Sequence, residues 1–263
     1  MSRYGDKPNV LFISQEIVPF VPESEISITS RQLIQFIYEC GMDIRTFMPR
    51  YGSINERKYN LHEVIRLSGV NIIINESDHP LYIKVASIPT SRMQVYFADN
   101  EEFFHRKTIL RDENGAFFND NDERMIFFCR SVIETVKNLK WEPDIIHCHG
   151  WLTSLIPLLI RKAYIHEPQF ANTKIIYSVY GSDEFTNPLN KNFYQKVKMD
   201  GIEDKDLKRL VSPTFANITK EAITWSDALI IGSEKLNKEV QKHISAANKP
   251  VLDYPGADGF IDA

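Results

Sequence analysis

Short apolar runs alternate with helix-like stretches at the start of the chain, and this order limits the folds open to it. Residues 9–14, NVLFIS, form a short apolar run typical of a strand buried on both faces of a sheet. Residues 28–40 carry apolar side chains at helical spacing and end before Gly41, a frequent helix stop. Residues 43–48 predict a second strand. This order predicts two parallel strands joined by a right-handed crossover.

The same rhythm returns in the second half of the chain. The patterns predict helix 122–139, strand 144–147, helix 152–164, strand 174–179, helix 217–225, strand 228–231 and helix 234–244. Between the two regions, strand-like runs at 70–74, 81–85 and 93–97 follow one another without a long helix. That middle stretch, residues 58–105, therefore predicts antiparallel strands inserted at one side of the sheet.

These elements predict an α/β fold. We expect one Rossmann-like, doubly wound domain over residues 1–246, with a mostly parallel sheet and the antiparallel insertion. Residues 247–263 contain two prolines and two glycines and are predicted to form a C-terminal arm or linker.

Composition narrows the class of protein. Hydrophobic residues make up 43% of the chain, which is enough for a sizeable core. The net charge of −4 and the lack of a basic run argue against nucleic acid or an anionic membrane as the main partner. No run reaches the roughly 18 apolar residues of a membrane helix, and the first residues lack the apolar segment of a signal peptide.

Cysteine usage points to a reducing compartment. Cys40, Cys129 and Cys148 are odd in number and too widely spaced for a metal knuckle. We therefore expect reduced thiols in a cytoplasmic protein. Each cysteine lies in or at the end of a predicted core element, so we also expect all of them to be mostly buried.

The predicted topology selects the loops where a ligand could bind. In a doubly wound sheet, ligands lie beyond the carboxyl ends of the strands, where the strand order reverses. That rule selects four loops: 15–27, 49–55, 147–151 and 180–186. The chain contains no G-x-x-x-x-G-K-[ST], G-x-G-x-x-G or G-x-S-x-G pattern, which argues against a self-contained nucleotide enzyme and against a serine hydrolase.

Several residues near these loops have more than one interpretation. His147 and His149 are two apart on a strand and so face the same side, where they could bind a metal, be satisfied at the strand end, or contact a sugar or phosphate. Asp120 opens a helix and is either a helix cap or a carboxylate that binds a sugar hydroxyl. Glu16 is a solvated loop acid or a ligand contact, and Trp151 is a core residue or a ligand platform.

Six segments together resemble the glycogen and starch synthase family. The family pattern S-E-x-x-P-F-x-K-T-G-G-L is similar to residues 14–26, L-P-R-Y-G to 48–52, D-N-x-x-R-F to 120–125, P-D-x-x-H-x-H-D-W-H to 143–152, T-I-H-N to 178–181, and a helix-to-strand passage to 222–228. The resemblance covers nearly the whole chain, in order and at similar spacing. It implies the N-terminal, Rossmann-like half of a GT-B glycosyltransferase.

The resemblance also implies a chemistry and a set of residues. It implies retaining transfer of glucose from ADP-glucose to an α-1,4-glucan or maltooligosaccharide, without a metal or other cofactor. As catalytic residues it implies His149, which would contact the donor sugar with its carbonyl near the anomeric carbon, and Asp120, which would bind a sugar hydroxyl. The substrate-binding positions it implies are Glu16, Pro22, Arg50, Tyr51, Arg124, Trp151 and Tyr180.

The sequence departs from the family pattern at several of these positions. Pro22 stands where the family has the lysine of K-T-G-G-L, with Glu23 and Glu25 nearby, and these acids would repel phosphate. Gly150 replaces the aspartate of H-D-W-H, and Tyr180 replaces the histidine of T-I-H-N.

The chain also ends where the family's second domain would begin. We therefore expect a synthase half that needs a separate C-terminal-domain chain or acts as a homodimer. A non-catalytic glucan-binding or regulatory relic of the family, or a stand-alone enzyme of another activity, are the alternatives.

Overall fold

A ten-stranded sheet forms the centre of the fold in the computed structural model, which describes residues 7–89, 91–257 and 259–261. The strands are β1 (Asn9–Ser14), β2 (Asp43–Pro49), β3 (His62–Glu63), β4 (Val70–Ile74), β5 (Ser77–Ser87), β6 (Gln94–Asp99), β7 (Ile145–His149), β8 (Lys174–Val179), β9 (Ala228–Ile231) and β10 (Val251–Leu252). Their order is β10-β9-β8-β7-β1-β2-β6-β5-β3, and β4 pairs with β5.

The strands from β10 to β6 run parallel to one another, which confirms the predicted mostly parallel, doubly wound sheet. The chain moves from β1 to β2 on one side and later returns to β7 on the other side of β1. The strand order therefore reverses between β1 and β7. A doubly wound sheet opens a crevice for ligands at this position, beyond the carboxyl ends of the strands.

Helices cover both faces of the sheet. They are α1 (Glu25–Glu39), α2 (Glu56–Tyr59), α3 (Glu101–Phe104), α4 (Asn121–Leu139), α5 (Leu155–Arg161), α6 (Phe193–Val197), α7 (Phe215–Trp225) and α8 (Lys238–Ala246). Contacts link α4 to α5, α5 to α7, and α7 to α8, so these helices form one layer. The crossover from β1 through α1 leads to β2, whereas the crossovers through α5, α7 and α8 lead in the opposite direction along the sheet, toward β10. Since these connections are right-handed, α1 lies on the other face of the sheet.

The inserted region differs from its prediction in one strand. β3, β4 and β5 are antiparallel to their neighbours, as expected. β6, however, pairs in parallel with β2 while it pairs antiparallel with β5. The third predicted strand of the insertion is therefore part of the central sheet, where it lies between β2 and β5.

Helix α1 begins three residues earlier than predicted, because a capping box fixes its start. Ser24 accepts a hydrogen bond from the Ser27 amide at 3.0 Å, and the Ser27 hydroxyl accepts one from the Ser24 amide at 2.7 Å. Two of the free amides of the first turn are satisfied in this way. The predicted end is confirmed, since Gly41 follows with φ of +72°.

Two other helix boundaries also differ. The segment predicted as helix 152–164 is a 3-10 turn at Trp151–Thr153 followed by the shorter α5. Helix α8 begins at Lys238 instead of residue 234, because Asn237 caps it by accepting from the amides of Glu239 and Val240.

The C-terminal segment 247–263, predicted as an arm or linker, contributes to two contacts within its described residues. Val251–Leu252 form the edge strand β10 beside β9. Phe260 is buried, and the 3-10 turn around it contacts α1. The boundary at residue 246 stays a prediction.

Two of the three cysteines agree with the burial prediction. Cys129 and Cys148 are buried, and burial raises the pKa of both thiols above the ordinary range. Cys40 is exposed at the end of α1, so the prediction for this residue was wrong. All three are unpaired thiols. None of the helices in the described residues is long and apolar enough to cross a bilayer.

The capping box gives a test of the fold. Replacing Ser24 with Ala removes the side-chain acceptor at the start of α1 and should lower the free energy of unfolding by about 1 kcal/mol. Urea denaturation measures this change. Ser245→Ala is the control, because this exposed serine lies inside α8 and bonds only to the Gln241 carbonyl. Equal stabilities for the two variants would contradict the role of the cap.

Candidate active site

A cleft of about 190 Å³ opens at the carboxyl edge of the sheet, where the strand order reverses. Three of the four loops selected from the sequence meet there: those after β1, β7 and β8. The loop at 49–55 does not line it, and a hairpin at 110–118 does. The lining residues are Gln15, Glu16, Ser24, Ile26, Leu110, Arg111, Phe117, Trp151, Ser182, Asp183, Glu184 and Phe185.

One side of the cleft is aromatic. Trp151 packs edge-on against Phe185 with ring centroids 5.0 Å apart, and Phe117 stacks on Phe185 at 5.2 Å. The Arg111 guanidinium lies 5.4 Å from the Phe117 ring centroid. Trp151 and Phe185 are buried, while Phe117 is half-buried. Such a wall offers an apolar face with one cation at its outer end.

The rest of the cleft is acidic. Glu16 accepts a hydrogen bond from the Ser24 hydroxyl at 2.5 Å, and Glu184 accepts one from the Asn237 side chain at 2.8 Å. Asp183 is a third acidic residue of the lining. Burial is the main cause that raises the pKa of Asp183 to about 8, and the negative charge of Glu16 adds to it.

Asp183 is tied to the loop that carries Trp151. Its Oδ2 accepts a hydrogen bond from the Trp151 amide at 2.9 Å. Its Oδ1 is shielded from solvent and has no hydrogen-bond partner, and the same holds for Nε1 of the Trp151 indole. Unpartnered buried polar atoms are uncommon in folded proteins, and each one needs an explanation.

His149 lies at the end of β7 but does not line this cleft. Its side chain is fully buried, stacks on Phe12 at 4.4 Å, and shares a hydrogen bond of 2.9 Å between Nδ1 and the Tyr180 hydroxyl. Nε2 has no partner. The Tyr180 ring fits because residue 232 is glycine: a Cβ there would lie 2.5 Å from the ring.

His147 and His149 face the same side of β7, as their spacing predicts, with ring centroids 4.0 Å apart. His147 bonds through Nε2 to the Ser178 hydroxyl at 2.8 Å. Burial lowers the pKa of His147 to about 3, and burial together with the neighbouring His147 holds the pKa of His149 well below its ordinary range. Both rings are therefore neutral near pH 7. Across the described residues, no group of three His, Cys, Asp or Glu side chains is arranged to hold a metal ion.

Gly150 has a structural reason to be glycine. Its φ is +82°, and a Cβ there would lie 2.4 Å from the side chain of Gln15. Gln15 fills this space and accepts a hydrogen bond from the Leu152 amide through Oε1 at 3.2 Å. An aspartate at this position would meet both a strained backbone and the Gln15 side chain.

Asp120 is the N-cap residue of α4, but its side chain makes no cap hydrogen bond. It forms a two-point ion pair with Arg106 instead, with one contact at 2.7 Å. Arg106 lies at the start of the segment that leads to the cleft hairpin 110–118. The ion pair therefore anchors both ends of that segment.

The remaining predicted site residues lie around the cleft instead of in its lining. Arg124 is buried, donates to the Phe103 carbonyl and the Asn121 side chain, and burial lowers its pKa to about 10. Tyr51 is also buried and donates to the Gln15 carbonyl at 3.0 Å. Tyr51 thus supports the loop after β1, and Arg124 supports the end of α3.

Arg50 and Pro22 lie further out. Arg50 forms an ion pair with Glu56, which also accepts from Lys84 at 2.7 Å. Pro22 is exposed in the loop after β1, and its carbonyl accepts a hydrogen bond from Ser27 at 3.1 Å. Only Glu16 and Trp151, of all the predicted site residues, line the cleft itself.

Sequence reasoning missed Asp183, Phe117 and Phe185 as lining residues. Asp183 and Phe185 lie in a loop that the strand-end rule selected, so their position could have been found by listing every polar and aromatic residue of that loop. Phe117 was missed because its hairpin lies in the segment after β6, a strand that the sequence analysis assigned to the antiparallel insertion instead of the parallel sheet.

A family model described as "Starch synthase catalytic domain" matches residues 9–252, which is nearly all of the chain. The chain belongs to this family.

Curated relatives agree with this assignment. Glycogen synthase of Chlorobium limicola is 39% identical over 172 residues, a stretch that covers 65% of this chain and 35% of that protein. Glycogen synthase of Chlorobium chlorochromatii is 31% identical over 261 residues, covering 92% of this chain and 53% of that protein. The chain thus spans between about a third and about half the length of these relatives.

A solved structure shows the same fold. The catalytic domain of Starch Synthase IV from Arabidopsis thaliana, bound to ADP and acarbose, superposes with a TM-score of 0.76 over 94% of this chain and 51% of that one. The identity is 16%, so the likeness concerns the fold. Within the starch synthase family, this chain therefore has the GT-B N-terminal architecture that its motifs implied.

The buried histidines predict an acid-sensitive fold. An unfolded histidine has a pKa of about 6.5, whereas His147 in the folded state has a pKa of about 3. The unfolded state therefore binds more protons between these values, and stability present above about pH 6.5 is lost as the pH falls. Each such histidine contributes up to about 1.4 kcal/mol per pH unit in that window.

His147→Gln tests this effect and can retain the hydrogen bond to Ser178. Between pH 6 and pH 4, the variant should lose less unfolding free energy per pH unit than the natural chain. The difference between the two slopes isolates His147 from other groups, including Asp183, whose raised pKa acts in the opposite direction. Parallel stability-against-pH curves would show that His147 does not titrate as proposed.

Proposed function

We propose that the cleft binds the end of an α-1,4-glucan and that this chain supplies the glucan-binding half of a glucosyl transfer of the glycogen and starch synthase type. ADP-glucose is the proposed donor. Family membership supports this proposal, as do the glycogen synthases among its relatives and the ADP and acarbose named with the structural neighbour. The observation that carries it is an aromatic wall facing carboxylates in one cleft.

The two sides of the cleft match the two sides of a sugar. A pyranose has an apolar face that packs on aromatic rings, here those of Phe117 and Trp151. Its hydroxyls form hydrogen bonds with fixed polar groups, here Glu16, Ser24 and Asp183. A glucan chain can therefore be held along the cleft without any charged group of its own.

The same charges disfavour the donor. A diphosphate entering the cleft meets the carboxylates of Glu16 and Glu184, and among the lining residues only the Arg111 guanidinium is a cation. Pro22, which stands where the family pattern has a lysine, adds no charge. Like charges across a binding site disfavour association, so we propose that glucan affinity exceeds affinity for ADP-glucose.

We assign different roles to the predicted site residues within this proposal. Glu16 and Trp151 contact the glucan. Asp120 binds a sugar hydroxyl with the oxygens that its ion pair with Arg106 leaves available. His149 contacts a donor sugar only after the Tyr180 ring moves away, because Tyr180 now occupies Nδ1.

The transfer itself needs stabilisation of two charges. The sugar ring becomes positive and the leaving diphosphate becomes negative in the transition state. The cleft acids can stabilise the first charge. Cations for the second charge would come from a separate C-terminal-domain chain or from a second copy of this chain, and these are the partners we propose.

Glucan binding without catalysis is the second candidate function. Two observations favour binding without catalysis: the His149 side chain is fully buried, and the cleft lining is acidic. The two candidates differ in whether a partner chain restores transfer. A cytoplasmic location belongs to the same proposal, in line with the unpaired thiols.

Titration calorimetry with the purified chain tests the proposed binding. Maltohexaose should bind measurably, whereas ADP-glucose should bind more weakly or below detection. Affinity for maltohexaose should be weak in absolute terms, since an open cleft buries less of a ligand than a closed one. Tighter binding of ADP-glucose than of maltohexaose would overturn the proposed preference and would favour a donor-binding half.

A second measurement concerns turnover. The purified chain should transfer labelled glucose from ADP-glucose to glycogen far more slowly than a full-length glycogen synthase assayed alongside it. Each missing charge-assisted contact to the diphosphate costs roughly 1.5–3 kcal/mol, or about one to two factors of ten in rate. Robust incorporation that His149→Ala abolishes would contradict this expectation.

A further inference from the structure

We infer that the Asp183 carboxyl and the Trp151 indole N–H together bind one glucose unit of the glucan, as an acceptor and a donor on the same sugar. This inference rests on the proposed glucan-binding function and adds residue roles to it. Asp183 is the new member of the site, because the sequence patterns that suggested the other site residues do not include it.

Asp183 is fixed by one oxygen and available through the other. The Trp151 amide donates to Oδ2 at 2.9 Å, which holds the carboxyl in one orientation at the end of β8. Oδ1 has no hydrogen-bond partner, although it is shielded from bulk solvent. Because Asp183 lines the cleft, Oδ1 is the oxygen that we assign to a sugar hydroxyl.

The Trp151 indole is the matching donor. Its Nε1 is buried and has no partner, and its ring contacts both Phe185 and Phe117. The other two tryptophans differ in this respect. Trp141 donates through Nε1 to Asp43 at 3.0 Å, and Trp225 donates to Glu221 at 2.7 Å.

A sugar satisfies both groups at once. Each hydroxyl can donate to a carboxyl oxygen and accept from an indole N–H. Leaving a buried polar group unpaired is costly, so a ligand that pairs both atoms gains more than its contacts alone would give. The diphosphate of ADP-glucose carries no proton at neutral pH, so it cannot donate a hydrogen bond to Asp183, and the carboxylates of Glu16 and Glu184 would repel it. The arrangement therefore selects a neutral polyol.

Indole NMR resonances provide a direct readout. The chain has three tryptophans, and Trp151→Phe assigns the Trp151 signal. Titration with maltohexaose should shift the Trp151 indole N–H, while the signals of Trp141 and Trp225 stay in place because both are hydrogen-bonded elsewhere. A shift confined to the other two signals, or no shift of Trp151 while maltohexaose binds by calorimetry, would overturn the inference.

Substitutions of Asp183 test the acceptor. Asp183→Ala removes both oxygens and should weaken maltohexaose binding roughly 2- to 10-fold, as expected for one lost hydrogen bond to an uncharged group. Asp183→Asn retains an acceptor for the Trp151 amide but replaces the other oxygen by a donor, so it should weaken binding while leaving the thermal midpoint close to that of the natural chain. Glu113→Gln makes the same carboxyl-to-amide change at the exposed tip of the hairpin, outside the cleft lining, and should leave affinity unchanged.

The outcomes separate the inference from the proposed function. If the natural chain does not bind maltohexaose, the proposed function fails. If it binds and Asp183→Asn binds equally well, the proposed function stands and Asp183 has only a structural role. If Glu113→Gln weakens binding as much as Asp183→Asn does, overall charge explains the effect and the inference is wrong. Should Asp183→Ala fail to fold, Asp183→Asn and the indole shift decide.

Discussion

Gln15 joins three loops of the carboxyl edge, and the shape of the candidate site depends on it. Its amide donates to the His149 carbonyl at 3.3 Å, its carbonyl accepts from Tyr51 at 3.0 Å, and its side chain accepts from the Leu152 amide at 3.2 Å. The residue is buried, and the parallel pairing of β1 with β7 brings it to this position. This junction supports the loop that carries Trp151, whose amide in turn donates a hydrogen bond to Asp183.

Burial of polar groups at this edge determines the charges of the site. The histidines of β7 are deep enough to remain neutral, so they add no positive charge at neutral pH. Asp183 is nearer the cleft, and its raised pKa of about 8 means that a large fraction of the carboxyl is protonated at neutral pH. A protonated carboxyl both donates and accepts hydrogen bonds. At neutral pH the Asp183 carboxyl can therefore pair with sugar hydroxyls. If Glu16, Asp183 and Glu184 were all ionised, the cleft would instead favour cations.

The sequence allowed the fold to be predicted more fully than the site. Strands such as β8 and β9 were predicted within a residue because each is a short apolar run bounded by polar residues. Helix starts were less certain, since they depend on side-chain caps such as Ser24, whose partner cannot be read from periodicity. The site depends on contacts between distant segments. No local pattern shows that Phe117 meets Phe185, or that Tyr180 covers His149.

Two departures from the family pattern, Gly150 and Tyr180, each pack against a partner residue. Gly150 leaves the space that the Gln15 side chain fills, and Gly232 leaves the space that the Tyr180 ring fills. Gly181 is likewise held against the Lys235 carbonyl, which a Cβ would approach to 2.0 Å. If only one residue of a pair were changed to the family residue, its side chain would clash with the unchanged partner, because the core is close-packed. To restore the family pattern, Gly150 must therefore be changed together with Gln15, and Tyr180 together with Gly232.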